Sequence, residues 1–172
     1  ILYGSDFHGS NAVYRKFLSA ALQYKANVLV VGGDVTGKAM VPVIHQGQGH
    51  YIGYLFGRKE EATTPEELEK LETVISNVGF YPIVLEKDEA ADLEANSDKM
   101  SARFEQEMNQ RVREWLELAV DKLAANKMEM YFMPGNDDLR SIDPIIDEYE
   151  GVHNPDMKHF MIAGEYELVG LS

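Results

Sequence analysis

Asp6 and His8 stand one residue apart just after the apolar run Ile1-Leu2-Tyr3, and Asp34 follows Gly32-Gly33 after Val28-Leu29-Val30-Val31. Asn136, Asp137 and Asp138 follow Gly135 after Met128-Glu129-Met130-Tyr131-Phe132-Met133. Carboxylates, an imidazole and a carboxamide oxygen are donors for divalent cations such as Mn, Fe or Zn. Asp34 has two oxygens and can bridge two ions, with Asp6 and His8 on one and the Asn136 carboxamide oxygen on the other, a pairing suited to ester hydrolysis. In an extended chain the side-chain period of two puts Asp6 and His8 on the same side and turns Phe7 away.

The three apolar runs are short and rich in β-branched, aromatic or long apolar residues, as strands buried in a parallel sheet are. Ligands of such sheets gather at the carboxyl ends of the strands, where all three polar clusters fall. Gly32 and Gly33 leave room for a sharp turn and close backbone approach, and Gly135 lets the chain turn after Pro134. Asn11 is a candidate cap for a helix carrying Val13, Phe17, Ala20, Ala21 and Tyr24 at three- and four-residue steps. Beyond Asp34, Met40–Ile44 and His50–Phe56 flank Gln46-Gly47-Gln48-Gly49 and read as a β-hairpin. Thr64 with Pro65 starts a helix through Leu68, Leu71, Val74 and Ile75 that ends near Gly79, and Phe80–Leu85 reads as a further strand. From about Asp88 to Lys127 the pattern is mostly helical, with Met100, Phe104, Met108, Val112, Trp115, Ala119 and Leu123 forming one apolar stripe. That stripe suits a helix covering a sheet, or one whose Met, Phe and Trp end docks a partner. The hundred or so residues between Asp34 and Gly135 exceed what a sheet crossover needs, so about 40–127 is expected to be an inserted hairpin and helices.

Asp-x-His, Gly-Asp and Gly-Asn followed by acidic residues, in this order and each at the end of a strand, resemble the first sequence blocks of the calcineurin-like metallophosphoesterase superfamily. The resemblance implies an α/β fold with central β-sheets flanked by helices. It also implies two divalent ions (Mn, Fe, Zn or Mg), with Asp6 and His8 on the first, Asp34 bridging and Asn136 on the second. The implied activity is hydrolysis of phosphomonoesters or phosphodiesters by a metal-bridging hydroxide. In the family a His follows the Asn and assists the leaving group; here that catalytic position is Asp137. A carboxylate beside two cations stays ionised and donates no proton, so good leaving groups are expected to be favoured. Asp138 is expected only to orient a neighbouring group. The family's later lone His and Gly-His-x-His block have no counterpart among His8, His45, His50, His153 and His159. The expectation is therefore one domain over 1–172, incomplete at its carboxyl end, where Tyr166–Ser172 reads as a strand. The rival expectation is a catalytically reduced scaffold of the same fold that binds a protein partner.

With 172 residues, 45% of them hydrophobic, the chain can bury a proper core. A net charge of -13 argues against wrapping long nucleic acid, since phosphate backbones are held mainly by Lys and Arg. Small phosphorylated substrates remain compatible, because bound cations reverse the local sign. The absence of cysteine excludes disulfides and thiolate metal sites and suits a cytoplasmic protein. No apolar run is long enough to cross a membrane. Expected partners are a small phosphorylated substrate, and a second copy or another protein through the 100–123 helix. Lys38 and Arg140 follow ligand loops and are secondary candidates for neutralising a phosphate; His45, His50, His153 and His159 are more simply surface residues. No Gly-x-Gly-x-x-Gly, P-loop or Gly-x-Ser-x-Gly pattern occurs, and position eight is not the second carboxylate that a phosphoaspartate mechanism needs.

Overall fold

The apolar runs that precede the polar clusters become strands of one parallel sheet. The computed structural model describes residues 1–162 and 164–171. In chain order the elements are β1 (Leu2–Gly4), α1 (Asn11–Gln23), β2 (Val28–Gly32), β3 (Met40–Gly47), β4 (His50–Leu55), β5 (Arg58–Ala62), α2 (Pro65–Asn77) and β6 (Tyr81–Leu85). There follow α3 (Lys87–Ala95), α4 (Ser97–Asn126), β7 (Glu129–Met133), a 3-10 turn (Arg140–Ile142), α5 (Asp143–Ile146), β8 (Val152–His153), β9 (His159–Ile162) and β10 (Tyr166–Val169). This is a mixed α/β protein with several sheets and, among the described residues, five α-helices. Among the described residues no helix is long and apolar enough to cross a membrane.

The chain forms two compact units, one of Ile1–His8, Val13–Thr36 and Asn109–Ser172, the other of Gly9–Ala12 and Gly37–Met108. In the first, β1, β2, β7 and β8 pair in that order, all parallel. Val28, Leu29, Val30 and Val31 are all buried, as a central parallel strand covered on both faces requires. Phe160, Ile162 and Leu168 of the antiparallel β9–β10 hairpin pack with Val28, Val30 and Tyr131. Phe7 meets Tyr14, Phe17 and Trp115 edge-on, while Tyr14 and Trp115 stack 4.2 Å apart. The buried Tyr14 hydroxyl donates to the Trp115 carbonyl at 3.0 Å, and burial raises its pKa.

In the second unit the sheet runs β5-β4-β3-β6, with antiparallel hairpins and β6 parallel to β3. Its core joins Val41, Val43 and Leu55 to Leu71 and Ile75 of α2. Thr64 caps α2 by accepting from Glu67 N at 3.2 Å, with Pro65 opening the helix, as read from the sequence.

Several boundaries differ from the sequence reading. The first strand is Leu2–Gly4 rather than starting at Ile1, and Asn11 is already the first residue of α1. Phe56, read as strand, lies in a two-residue turn whose residues both take positive φ, Phe56 at 51° and Gly57 at 76°. Such turns match the twist of a hairpin, and β5 follows. That strand escaped notice because Arg58-Lys59-Glu60-Glu61 is charged, as exposed edge strands tend to be. The long helical stretch is two helices, broken at Asn96, which has φ -133° and ψ 101°. The Asn96 side chain accepts from Asp98 N and Lys99 N, both at 3.1 Å, and so caps α4. On α4, Met108, Val112, Trp115, Ala119 and Leu123 are buried. The carboxyl-terminal strand ends at Val169 and pairs with β9; Ser172 lies outside the described residues.

Candidate metal centre

Asp6, His8 and Asp34 come together at the carboxyl ends of β1 and β2, one donor atom from each within 4.8 Å of the others. The reason is not strand alternation. β1 ends at Gly4, and Asp6, His8 and Asp34 take left-handed backbone with φ of 58°, 45° and 51°. Asp and His visit this region more readily than most residues, but each such position still costs on the order of 1–3 kcal/mol. Two features oppose that cost. Phe7 turns away from the cluster into the aromatic core, worth about 1.5–3 kcal/mol. The Asp6 N–H donates to the Gly33 carbonyl at 3.1 Å and the His8 N–H to the Asp34 carbonyl at 3.0 Å, so the pairing of the two segments continues past the strands.

Asp138 fastens the third loop to the second. Its buried carboxylate accepts from the Val35 and Thr36 N–H groups, the Thr36 hydroxyl at 2.6 Å and the Gly135 N–H at 2.7 Å. It thus orients neighbouring groups, in the sense read from the sequence, and what it orients is the backbone on both sides of the cluster. The loops also touch directly. A Cβ at Gly33, where φ is 100°, would lie 2.9 Å from the Gly135 Cα, and one at Gly135 would run into the Asp34 carboxylate and amide nitrogen.

Asn136 lines the same cleft, of about 310 Å³, with Tyr3, Ser5, Asp6, Asp34 and Leu171 among its walls. Asp137 is exposed; its N–H faces Asp34 Oδ1 at 3.4 Å and its own Oδ1 accepts from Asn136 Nδ2 at 3.2 Å. Arg140 is engaged by Asp156 at 2.6 Å, with Asp143 at 3.8 Å, and Lys38 is an exposed residue of the second unit. The remaining histidines have their own neighbours: His45 with Glu86 at 2.8 Å, His50 with Glu61 at 3.0 Å, His153 against Tyr131 and Phe160, and His159 with Glu167 at 3.9 Å. None of these four belongs to the cluster.

No protein-family model, curated protein or solved structure matches the chain.

The residues nonetheless fit one divalent cation on their own chemistry. Two carboxylates and an imidazole form a borderline donor set. His8 keeps Nδ1 buried without a hydrogen-bond partner, while its Nε2 is 3.7 Å from Asp6 Oδ1. Nε2 is the ring nitrogen beside Asp6, and the buried Nδ1 carries a desolvation cost that a hydrogen-bond partner of either kind would relieve, according to the tautomer. For a second ion, the cleft offers Asp34 and Asn136.

Sequence reasoning missed Tyr3, Ser5, Leu171 and the reach of Asp138. Ser5 adjoins Asp6 and donates to its Oδ2 at 2.6 Å, a contact that adjacency alone suggests. Tyr3 had no such signal, because its place beside Gly32 follows only from how β1 and β2 pair.

Proposed function

We propose that this chain is a metal-dependent phosphoesterase with a metallophosphoesterase-like fold, hydrolysing small phosphomonoesters or phosphodiesters in the cytoplasm. The observation that carries the reading is the meeting of Asp6, His8 and Asp34 within 4.8 Å at the ends of neighbouring parallel strands, in backbone conformations that would otherwise be avoided. Asp6, His8 and Asp34 would hold one divalent ion, and Asp34 with Asn136 a second. When bound, such ions supply positive charge for the phosphate oxygens and make water a better nucleophile at neutral pH.

The chain's own groups set the rest. Asp138 holds the loop just after Asp34, and Asp34 lines the cleft with the Asp137 N–H 3.4 Å from its Oδ1. Asn136 contributes a neutral donor that does not add to the charge already repelling a phosphate. Asp137 sits exposed beside it and disfavours an anionic leaving group that departs slowly. A cleft of about 310 Å³ is at the small end of ligand sites and suits a compact ester. With a net charge of -13, long nucleic acid is not the proposed substrate.

The test is hydrolysis of an activated aryl phosphodiester in added Mn by the protein and its Asp34→Asn variant. The expected result is turnover that falls by at least about a hundredfold in the variant with the fold retained, the scale set by removing charge stabilisation from a reacting centre. If neither protein turns over and both are folded, the reading fails in favour of a scaffold of the same fold that binds a protein partner.

A further inference from the structure

Tyr3 precedes Gly4 at the end of β1, and its side chain leans along the sheet toward the end of β2. A Cβ at Gly32 would collide with the Tyr3 hydroxyl and ring edge, so that hydroxyl lies over the residue just before the Gly33–Asp34 turn. The residue is 63% exposed, and it walls the cleft that Asp6, Asp34 and Asn136 line.

Three residues lining this cleft carry side-chain hydrogen-bond donors: Tyr3, Ser5 and Asn136. Ser5 already donates to Asp6 Oδ2, and Asn136 Nδ2 to Asp137 Oδ1. Among the described residues no hydrogen bond engages the Tyr3 hydroxyl. Asp137, where a donor would be useful, is a carboxylate and accepts when ionised. Among the described residues, Tyr3 is thus the one of these three whose side chain makes no hydrogen bond.

We propose that Tyr3 is a catalytic residue whose hydroxyl donates a hydrogen bond to the ester oxygen that leaves the phosphorus. The proposal rests on the phosphoesterase reading. In the reaction the oxygen of water forms the new P–O bond, and the ester P–O bond breaks with its electron pair going to the alcohol oxygen. The proton lost by water reaches that alcohol through solvent. Tyr3 keeps its own proton throughout and lowers the cost of negative charge building on the departing oxygen. Its contribution is therefore large for poor leaving groups, which carry much charge, and small for nitrophenols, which disperse it.

The experiment compares a series of aryl and alkyl phosphodiesters in added Mn for the wild type, Tyr3→Phe, Tyr3→Leu and Asp34→Asn, with Mn affinity measured by calorimetry. Tyr3→Phe is expected to lower kcat roughly ten- to hundredfold on the poorest leaving groups and by less than about twofold on nitrophenyl esters, the range set by one hydrogen bond to a charged atom. Its Mn affinity is expected to equal that of the wild type. An equal loss on all esters, no loss on any, or weakened Mn binding would overturn the proposal while leaving the phosphoesterase reading in place. So would full activity in Tyr3→Phe with aryl esters alone impaired in Tyr3→Leu, since that marks a stacking wall. If the wild type shows no Asp34-dependent turnover on any ester, the phosphoesterase reading fails and this proposal fails with it.

Discussion

Positive φ serves different ends in two regions of this chain, the hairpin turns around β4 and the loops after β1 and β2. In the second unit, besides Gly9, Gly47 and Gly79, it occurs at Gln48-Gly49 and Phe56-Gly57, the two-residue turns that join β3 to β4 and β4 to β5. There it serves chain reversal, and the surroundings are open: a Cβ at Gly57 would meet nothing within 4 Å. In the first unit, besides Lys25, Lys127, Gly151, Met157 and Gly164, it occurs at Asp6, His8, Gly33 and Asp34, where no hairpin is being made and the neighbouring backbones are in contact. Turn strain at an open surface is repaid by hairpin pairing alone. The strain at the strand ends needs several supports together: Phe7 in the core, two backbone hydrogen bonds between the loops, and the Asp138 carboxylate. The contrast teaches that an unusual conformation gains meaning from what surrounds it, and here the surroundings hold three metal-type donors.

The largest effect is expected where those supports converge. Asp138→Ala leaves two backbone N–H groups of Val35 and Thr36, and that of Gly135, without their acceptor, and should destabilise the protein by about 3–5 kcal/mol in denaturant titration. Gly135→Ala forces a Cβ against Asp34 and should cost about 2–3 kcal/mol while weakening Mn binding in calorimetry. Gly57→Ala, with φ of 76° but open space, should cost only about 1 kcal/mol and leave Mn binding unchanged. If Gly57→Ala cost as much as Gly135→Ala, or altered Mn binding equally, the contrast between the two regions would be lost.

A smaller effect sharpens it at the surface. Arg113 and Glu148 pair through the two terminal guanidinium nitrogens, one of them at 3.2 Å, and this hydrogen bonding holds the Glu148 carboxyl below its usual range. A carboxyl with a lowered folded pKa adds stability above its unfolded value, about 4.3, and loses it as pH falls through the folded value. Melting temperature should therefore drop slightly more between about pH 5 and pH 2 in the wild type than in Glu148→Gln, and salt should shrink the difference. Equal acid responses in the two proteins would show that the pair contributes nothing measurable.

Much of the chain was legible in local pattern. Val28–Val31 read as a buried strand because every residue is apolar, and Thr64-Pro65 marked the start of α2 because a hydroxyl cap and a proline each suit one place in a helix. The donors Asp6, His8, Asp34 and Asn136 were recognisable as types placed after apolar runs. The reason given for Asp6 and His8 facing together, an extended chain, was not the operative one: their backbone is left-handed. The break at Asn96 and the charged strand β5 were hidden because helical periodicity continues across a cap and a polar edge strand has little apolar alternation.

What the sequence by itself determined is what one segment can signal: apolar runs for buried strands, glycine for tight backbone, and side chains able to hold a cation. Only the tertiary structure decided that β1, β2 and β7 lie side by side, that Asp138 reaches across 102 positions to Thr36, and that Tyr3 lies beside Gly32. The physical reason is that hydrogen-bond geometry and steric contact act over a few ångströms of space. Residues far apart in the chain carry no local mark of the partners that folding will bring to them.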